Sequence, residues 1–366
     1  GWYANASGAS GSFNFGQRPF AYTPPTNHKS LCTQNLTTPT IADGSTVFDV
    51  RSGKTAQFTI SDLNFAADLV VAKSTSHSEY WIVADVVRSF IGGLRFNDTN
   101  QEGSGNAITN VGATGYQSDS NWFTTGRTYV TFNWDAGTTT ATNTDGSITS
   151  NVRANASAGF SIVTWTGQSS GSATIGHGLN AAPELIILKG RTGSVGWTVG
   201  HESIGWTKRL KLNASDAAST SSNYWNDTAP TTSVFTAGAN NVSNTFVAYC
   251  FTPVAGYSDF GSYNGNGSTD GPFVYTGFRP AFIMLKRTDS TAAWQIRDTS
   301  RSPDNVVTEN LYPNLTTAEE TDSSLNLDIL SNGFKPRNSS GSSNASSGTY
   351  IYAAFAEHPF KTARAR

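Results

Sequence analysis

Apolar residues in this chain fall in short runs between glycine- and asparagine-rich turns, and nowhere do they recur at helical spacing over three turns. The nearest approach to a helical pattern, Val83 to Ile91, is short and rich in β-branched residues. The clearest run lies in P-E-L-I-I-L-K-G-R-T-G-S-V-G-W, from Pro183 to Trp197. Its mostly apolar segment, Glu184 to Leu188, has the length of a buried strand and is too short for a helix. Lys189 closes the run, a glycine-rich turn follows, and Trp197 opens the next strand. The same pattern occurs twice more, as D-L-V-V-A-K ending at Lys73 before Trp81, and as A-F-I-M-L-K ending at Lys286 before Trp294. Lysine and tryptophan are eight positions apart each time, which identifies an internal repeat.

The repeat reaches well beyond this core. After each tryptophan comes a short extended piece ending at Asp85, His201 or Asp298, with an arginine three residues later in the first and third copies (Arg88, Arg301). A leucine-bearing strand then runs into an acidic or polar turn, and each copy closes on an aromatic strand: T-Y-V-T-F-N-W, T-F-V-A-Y-C-F or T-Y-I-Y-A-A-F. The period of roughly a hundred residues is too long for a solenoid and suits one small β domain. We therefore expect an all-β chain of tandem antiparallel β-sandwich domains of one topology, over residues 38–137, 159–254 and 257–360. Trp81, Trp197 and Trp294 should be equivalent. Residues 1–37 read as a cap, or as the C-terminal remnant of a preceding β domain. The polar stretch 138–158 reads as an extended linker with a short strand around Ile148. The second and third repeats, almost without a linker, should pack as a rigid pair, and 361–366 is a basic tail.

Composition adds limits. Only 14% of residues are charged, and the formal net charge of -2 gives no pull toward nucleic acid or a membrane surface. The 24 Lys and Arg are scattered and form no basic face. No run of about twenty apolar residues is present, so no helical span is expected. The two cysteines, Cys32 and Cys250, fall in different predicted domains and read as lone buried thiols. The single methionine is Met284, so Gly1 reads as the start of a processed chain, of an engineered piece, or of the C-terminal part of something longer.

Several long strings resemble known proteins. N-F-G-Q-R-P-F-A-Y-T-P-P-T followed by L-C-T-Q-N-L resembles the C-terminal end of SPRY-like lectin-type domains of bacteriophage virion proteins. G-F-S-I-V-T-W-T-G, I-G-H-G-L-N-A-A-P-E-L-I-I-L-K, F-G-S-Y-N-G-N-G-S-T-D-G-P-F-V-Y-T-G-F-R-P and Y-I-Y-A-A-F-A-E-H-P-F-K resemble a repeat region of tail-fibre and virion structural proteins of marine and cyanobacterial phages. The resemblance implies a place in the virion, with other virion proteins as partners. It also implies a role as a tail-fibre or receptor-binding module attached to host-surface glycan or protein. Together with an aromatic content beyond what three small cores need, it implies a parallel homotrimer. A capsid decoration protein, a tailspike-type depolymerase and an exported bacterial adhesin are the alternatives.

Catalytic motifs are absent: there is no H-E-x-x-H, G-x-S-x-G or phosphate-cradling glycine loop. His177, between glycines, reads as a turn residue. His201-Glu202 lacks a second histidine at ligand spacing, and its counterparts Asp85 and Asp298 mark it as a strand-end polar residue. Asp298 with Asp304, or Glu319 with Glu320 and Asp322, match a glycosidase pair by residue type alone. No calcium loop is present, and no metal or cofactor is expected. Several N-x-S/T strings, among them Asn97, Asn213, Asn226 and Asn314, read as coincidence in so polar a chain. The best binding candidates are aromatic residues in polar loops: Trp206, Tyr224, Trp225, Tyr263 and Trp122. A ring that stacks on a sugar beside Asn, Asp and Ser would make a glycan site, while packing between domains or subunits is the competing use.

Overall fold

A computed structural model describes residues 22, 23, 25, 39–240 and 242–356. The tail, and all of the N-terminal cap but those isolated residues, lie outside them. The chain is all-β, and each repeat folds around the same four antiparallel strands. In unit 1 the order across the sheet is Phe48–Thr55, Thr128–Trp134, Leu69–Ser74 and Ile82–Asp85. Unit 2 repeats it with Phe160–Thr166, Thr245–Phe251, Leu185–Gly190 and Thr198–His201. Unit 3 uses Ser258–Asn264, Thr349–Ala356, Pro280–Arg287 and Gln295–Asp298. The closing aromatic strand of each repeat is thus central, bonded on both edges. No helix among the described residues is long and apolar enough to cross a membrane.

One face of each sheet is covered by a small second layer. It is Thr59–Ile60, Gly115–Ser118 and Ile108–Gly112 in unit 1, Ala173–Gly176 with Val234–Ala237 in unit 2, and Val274–Tyr275, Gly333–Pro336 and Leu327–Leu330 in unit 3. The opposite faces of all three sheets converge on one shared core. Every residue of Leu69–Ser74 and Leu185–Gly190 is buried, because these strands have protein on both sides, and this is why they read as unbroken apolar runs. Register makes Trp134, Phe251 and Phe355 equivalent, since they oppose Leu69, Leu185 and Phe282. Their rings meet in a triangle with centroid separations of 6.5, 5.9 and 5.8 Å. Phe48, Phe160 and Phe282 pack around them, and an apolar void of about 40 Å3 remains beside the axis. The units are therefore three sectors of one pseudo-threefold body.

The segment 138–158 corrects the linker reading. Thr140–Asn143 and Ser150–Asn155 form a hairpin that extends the unit 2 sheet next to Phe160–Thr166, giving eight strands with Lys208–Lys211 and Ser219–Thr220 on the other edge. A hairpin with one solvated face needs few large apolar residues, hence its polar sequence. Ile148 makes one bridge, parallel to Ile175. Cys250 is a buried free thiol whose pKa burial pushes up.

The repeated lysine and tryptophan close the ring. Trp197 Nε1 donates to the Arg95 carbonyl (2.6 Å), Trp294 Nε1 to that of Lys211 (2.9 Å) and Trp81 Nε1 to that of Tyr312 (2.9 Å). Each indole reaches the loop of the preceding sector, and unit 1 reaches unit 3. Lys189 donates to the carbonyls of Thr99 and Asn100, Lys286 to that of Ser215 and Lys73 to that of Thr316, repeating the cycle. The amides of Glu102, Ala218 and Glu319 complete it by donating to the carbonyls of Arg191, Thr288 and Thr75. Burial pulls each lysine amine down to about 8. Asn97, Asn213 and Asn314 accept the backbone N–H of the tryptophan in their own sector at 2.9–3.0 Å. Three of the N-x-S/T strings are therefore a repeated structural device.

Candidate functional site

Two of the three seams between sectors are filled by an ion triad. In unit 1 Arg88 binds Asp85 (2.6 Å) and Glu102 (2.8 Å), and Glu102 also takes Arg191 of unit 2 (2.8 Å). In unit 3 Arg301 binds Asp298 (2.6 Å) and Glu319 (2.7 Å). Of the carboxylates that matched a glycosidase by residue type, Asp298 and Glu319 thus neutralise a buried arginine, and Asp322 caps the turn at Ser324. Unit 2 carries His201, Ile204 and Ala218 at the same positions. His201 Nδ1 accepts from the Ser203 amide (3.1 Å), and Nε2 lies 3.2 Å from the Tyr352 carbonyl of unit 3. That pairing fixes a neutral ring with its proton on Nε2. Burial lowers its pKa to about 4. His177 is held the same way, by the Leu179 amide and the Thr231 carbonyl, with its pKa lowered by burial. Among the described residues no group of three or more His, Cys, Asp or Glu is placed to hold a metal ion.

The five aromatic candidates separate. Trp225 is buried at the end of the short helix Ser222–Trp225, edge-on to Trp206 at 5.4 Å. Both rings lie over Gly200, where a Cβ would come within 2.4 Å of Trp206 and 2.8 Å of Trp225. Trp206 Nε1 donates to Glu202 (2.7 Å). These two cover the sheet and offer no ring to a ligand, because a missing side chain at position 200 makes room for them inside. Trp122 is half-buried over Gly93 and Gly103, with the Arg95 guanidinium 5.4 Å from its ring. Tyr263 is mostly buried, stacked on Tyr350 at 4.9 Å, and its hydroxyl donates to the Ser343 carbonyl.

Tyr224 stands at a ligand-sized opening with its ring oriented by a cation. Half-buried, it stands in the wall of a groove of about 390 Å3 shared with Arg209, Lys211, Asn213, Asn240 and Thr99 of unit 1. The Arg209 guanidinium lies 3.6 Å from the centre of the ring, a cation–π contact that fixes its plane. Lys211 is held by Asp216 at 2.7 Å. The groove thus joins an oriented ring to amide, hydroxyl and cationic hydrogen-bonding groups.

A second surface escaped the sequence reading. Phe273 and Tyr275 flank the buried Val274 and are 48% and 64% exposed on the outer face of unit 3. Lys335 and Arg337, both paired to Asp270, lie on the neighbouring strand and just beyond it. The signal was the alternation in P-F-V-Y, with one apolar residue inward and an aromatic on either side outward.

Residues 45–359 match the family model described as Domain of unknown function (DUF7483). That span opens just before the first strand of unit 1 and closes past the last strand of unit 3, so one family domain corresponds to the whole three-sector body. The comparison with curated proteins gives no match. The chain belongs to the DUF7483 family.

Proposed function

We propose that this chain is a non-catalytic attachment module of a phage particle, binding host-surface glycan at the Tyr224 groove. The observation that carries the binding role is the Tyr224 ring, held in plane by Arg209 in a groove lined with hydrogen-bonding side chains on a rigid frame. Binding needs such preorganisation and no tuned acid or base. The virion setting and the homotrimer rest on the sequence resemblance alone, because the aromatic surplus that argued for a trimer is spent in the core inside one chain. That rigid internal core also favours a second reading, a purely structural virion part such as a capsid decoration.

The test is a glycan array probed with the full chain, followed by titration of any bound glycan. Tyr224→Ala is expected to weaken binding about tenfold, equivalent to about 1.4 kcal/mol, with an unchanged melting temperature. Trp225 is left in place because its loss would open the unit 2 core. Undiminished glycan binding by Tyr224→Ala would remove the groove from the account. Release of reducing ends from host polysaccharide would replace attachment with depolymerisation.

A further inference from the structure

The three seams are equivalent in backbone and unequal in filling. At the unit 1–2 seam Arg88, Glu102 and Arg191 fill the junction, and at the unit 3–1 seam Arg301 and Glu319 do so. At the unit 2–3 seam the corresponding residues are Ile204, Ala218 and Thr288, and the same backbone bond joins Ala218 N–H to the Thr288 carbonyl at 2.8 Å. The seam stays latched while its side chains are cut short. A groove of about 410 Å3 opens there, within the range of small-molecule sites.

We infer that the unit 2–3 seam is a binding site for a neutral saccharide, made by loss of the ion triad from that seam. Its walls define the ligand class. Ile204, Ala217 and Ala218 give an apolar strip for the carbon face of a pyranose. The side chains of Ser203, Ser262 and Asn264 line the groove and, among the described residues, make no hydrogen bond, leaving donors and acceptors for sugar hydroxyls. The one carboxylate in the wall, Asp289, is already held by Arg287 (2.9 and 3.1 Å) and the Thr349 amide (3.2 Å). Lys208 is the one cation of the lining. A basic sugar would meet only the committed Asp289, and an acidic one a single exposed lysine with no guanidinium free to clamp a carboxylate, whereas a neutral one can use every free group. Tyr263 and Tyr350, stacked in the wall, keep that side rigid.

The inference deepens the attachment reading and rests on it for the ligand class. The full chain is tested on an array of neutral and acidic oligosaccharides, and calorimetric titration follows with a neutral glycan that binds. Ile204→Arg with Ala218→Glu rebuilds the arginine–glutamate filling. Ser262→Trp, at an exposed position on the edge strand, blocks the groove and decides the matter if the double variant does not fold. Both are expected to reduce affinity for the neutral glycan at least tenfold with the melting temperature kept. Full affinity in a folded seam variant, or a wild-type chain that binds acidic glycans alone, overturns the seam site while attachment stands. A wild-type chain that binds neither class overturns both.

Discussion

His201 holds the place that aspartate holds in the other two sectors, and its chemistry differs in sign. Asp85 and Asp298 cap the following turn as anions paired to arginine, whereas His201 caps it as a neutral ring that accepts at Nδ1. Protonating it would set a second N–H against the Ser203 amide in a buried seam. Its folded pKa of about 4 lies below the ordinary value of 6.5. Its contribution to stability is therefore whole above about pH 6.5 and is lost as pH falls toward 4, by up to about 3 kcal/mol. Asp68, pushed up to about 6 by burial against the Arg153 pair, acts in the opposite direction over the same window. The informative quantity is thus the difference between wild type and His201→Asn. Urea unfolding at pH 7 and pH 5 should show the wild type losing its advantage in acid. A pH-independent difference would mean that His201 does not titrate in this range.

The element that organises the ring is the strand–turn–strand with lysine and tryptophan eight residues apart, latched to the loop of the preceding sector. Within it, Asn213 Oδ1 accepts the Trp197 N–H at 2.9 Å beside the indole that reaches unit 1. Asn213→Ala would leave that partly buried donor without its partner, at a cost of about 1–3 kcal/mol. Asn97→Ala and Asn314→Ala should cost similar amounts, each at its own seam, and chemical denaturation measures all three. A negligible cost at every site would mean that water replaces the amide. This element was legible because spacing and residue type repeat in sequence. Its partners were not, since the acceptors are backbone carbonyls, which any residue supplies and no motif marks. The same limit explains Trp206 and Trp225. Polar neighbours suggested exposed rings, but Gly200 on another strand decides that they lie inside. The hairpin at 140–155 was missed for a related reason: a β-edge with one solvated face carries no apolar run. Tyr224 was legible as an aromatic in a polar loop, while the groove around it depends on Thr99 from another sector.

At the scale of the whole molecule, three tandem domains and one three-sector body predict different unfolding. Autonomous sandwiches would melt separately and survive excision. Here Leu185, Ile187, Trp197, Tyr249 and Phe251 of unit 2 belong to the core that also holds Leu69, Phe132 and Trp134 of unit 1 and Phe282, Met284 and Phe355 of unit 3. Excising residues 159–254 would expose that entire face to water, with each large apolar side chain forfeiting about 1.5–3 kcal/mol of burial, a loss beyond what a domain of that size can bear. The excised unit should therefore be unfolded or aggregated, and the intact chain should melt in a single transition whose calorimetric and van't Hoff enthalpies agree. Trp134→Ala, which removes one corner of the aromatic triangle, should cost about 3–5 kcal/mol and lower that one transition without splitting it. Resolved transitions in the wild type, or a folded and monomeric unit 2 on its own, would reduce the shared core to a contact between independent domains. Phe251 and Phe355 each touch Trp134 and each other. Loss of any one corner therefore opens space against both remaining sectors, and the damage cannot stay within the sector that carries the substitution.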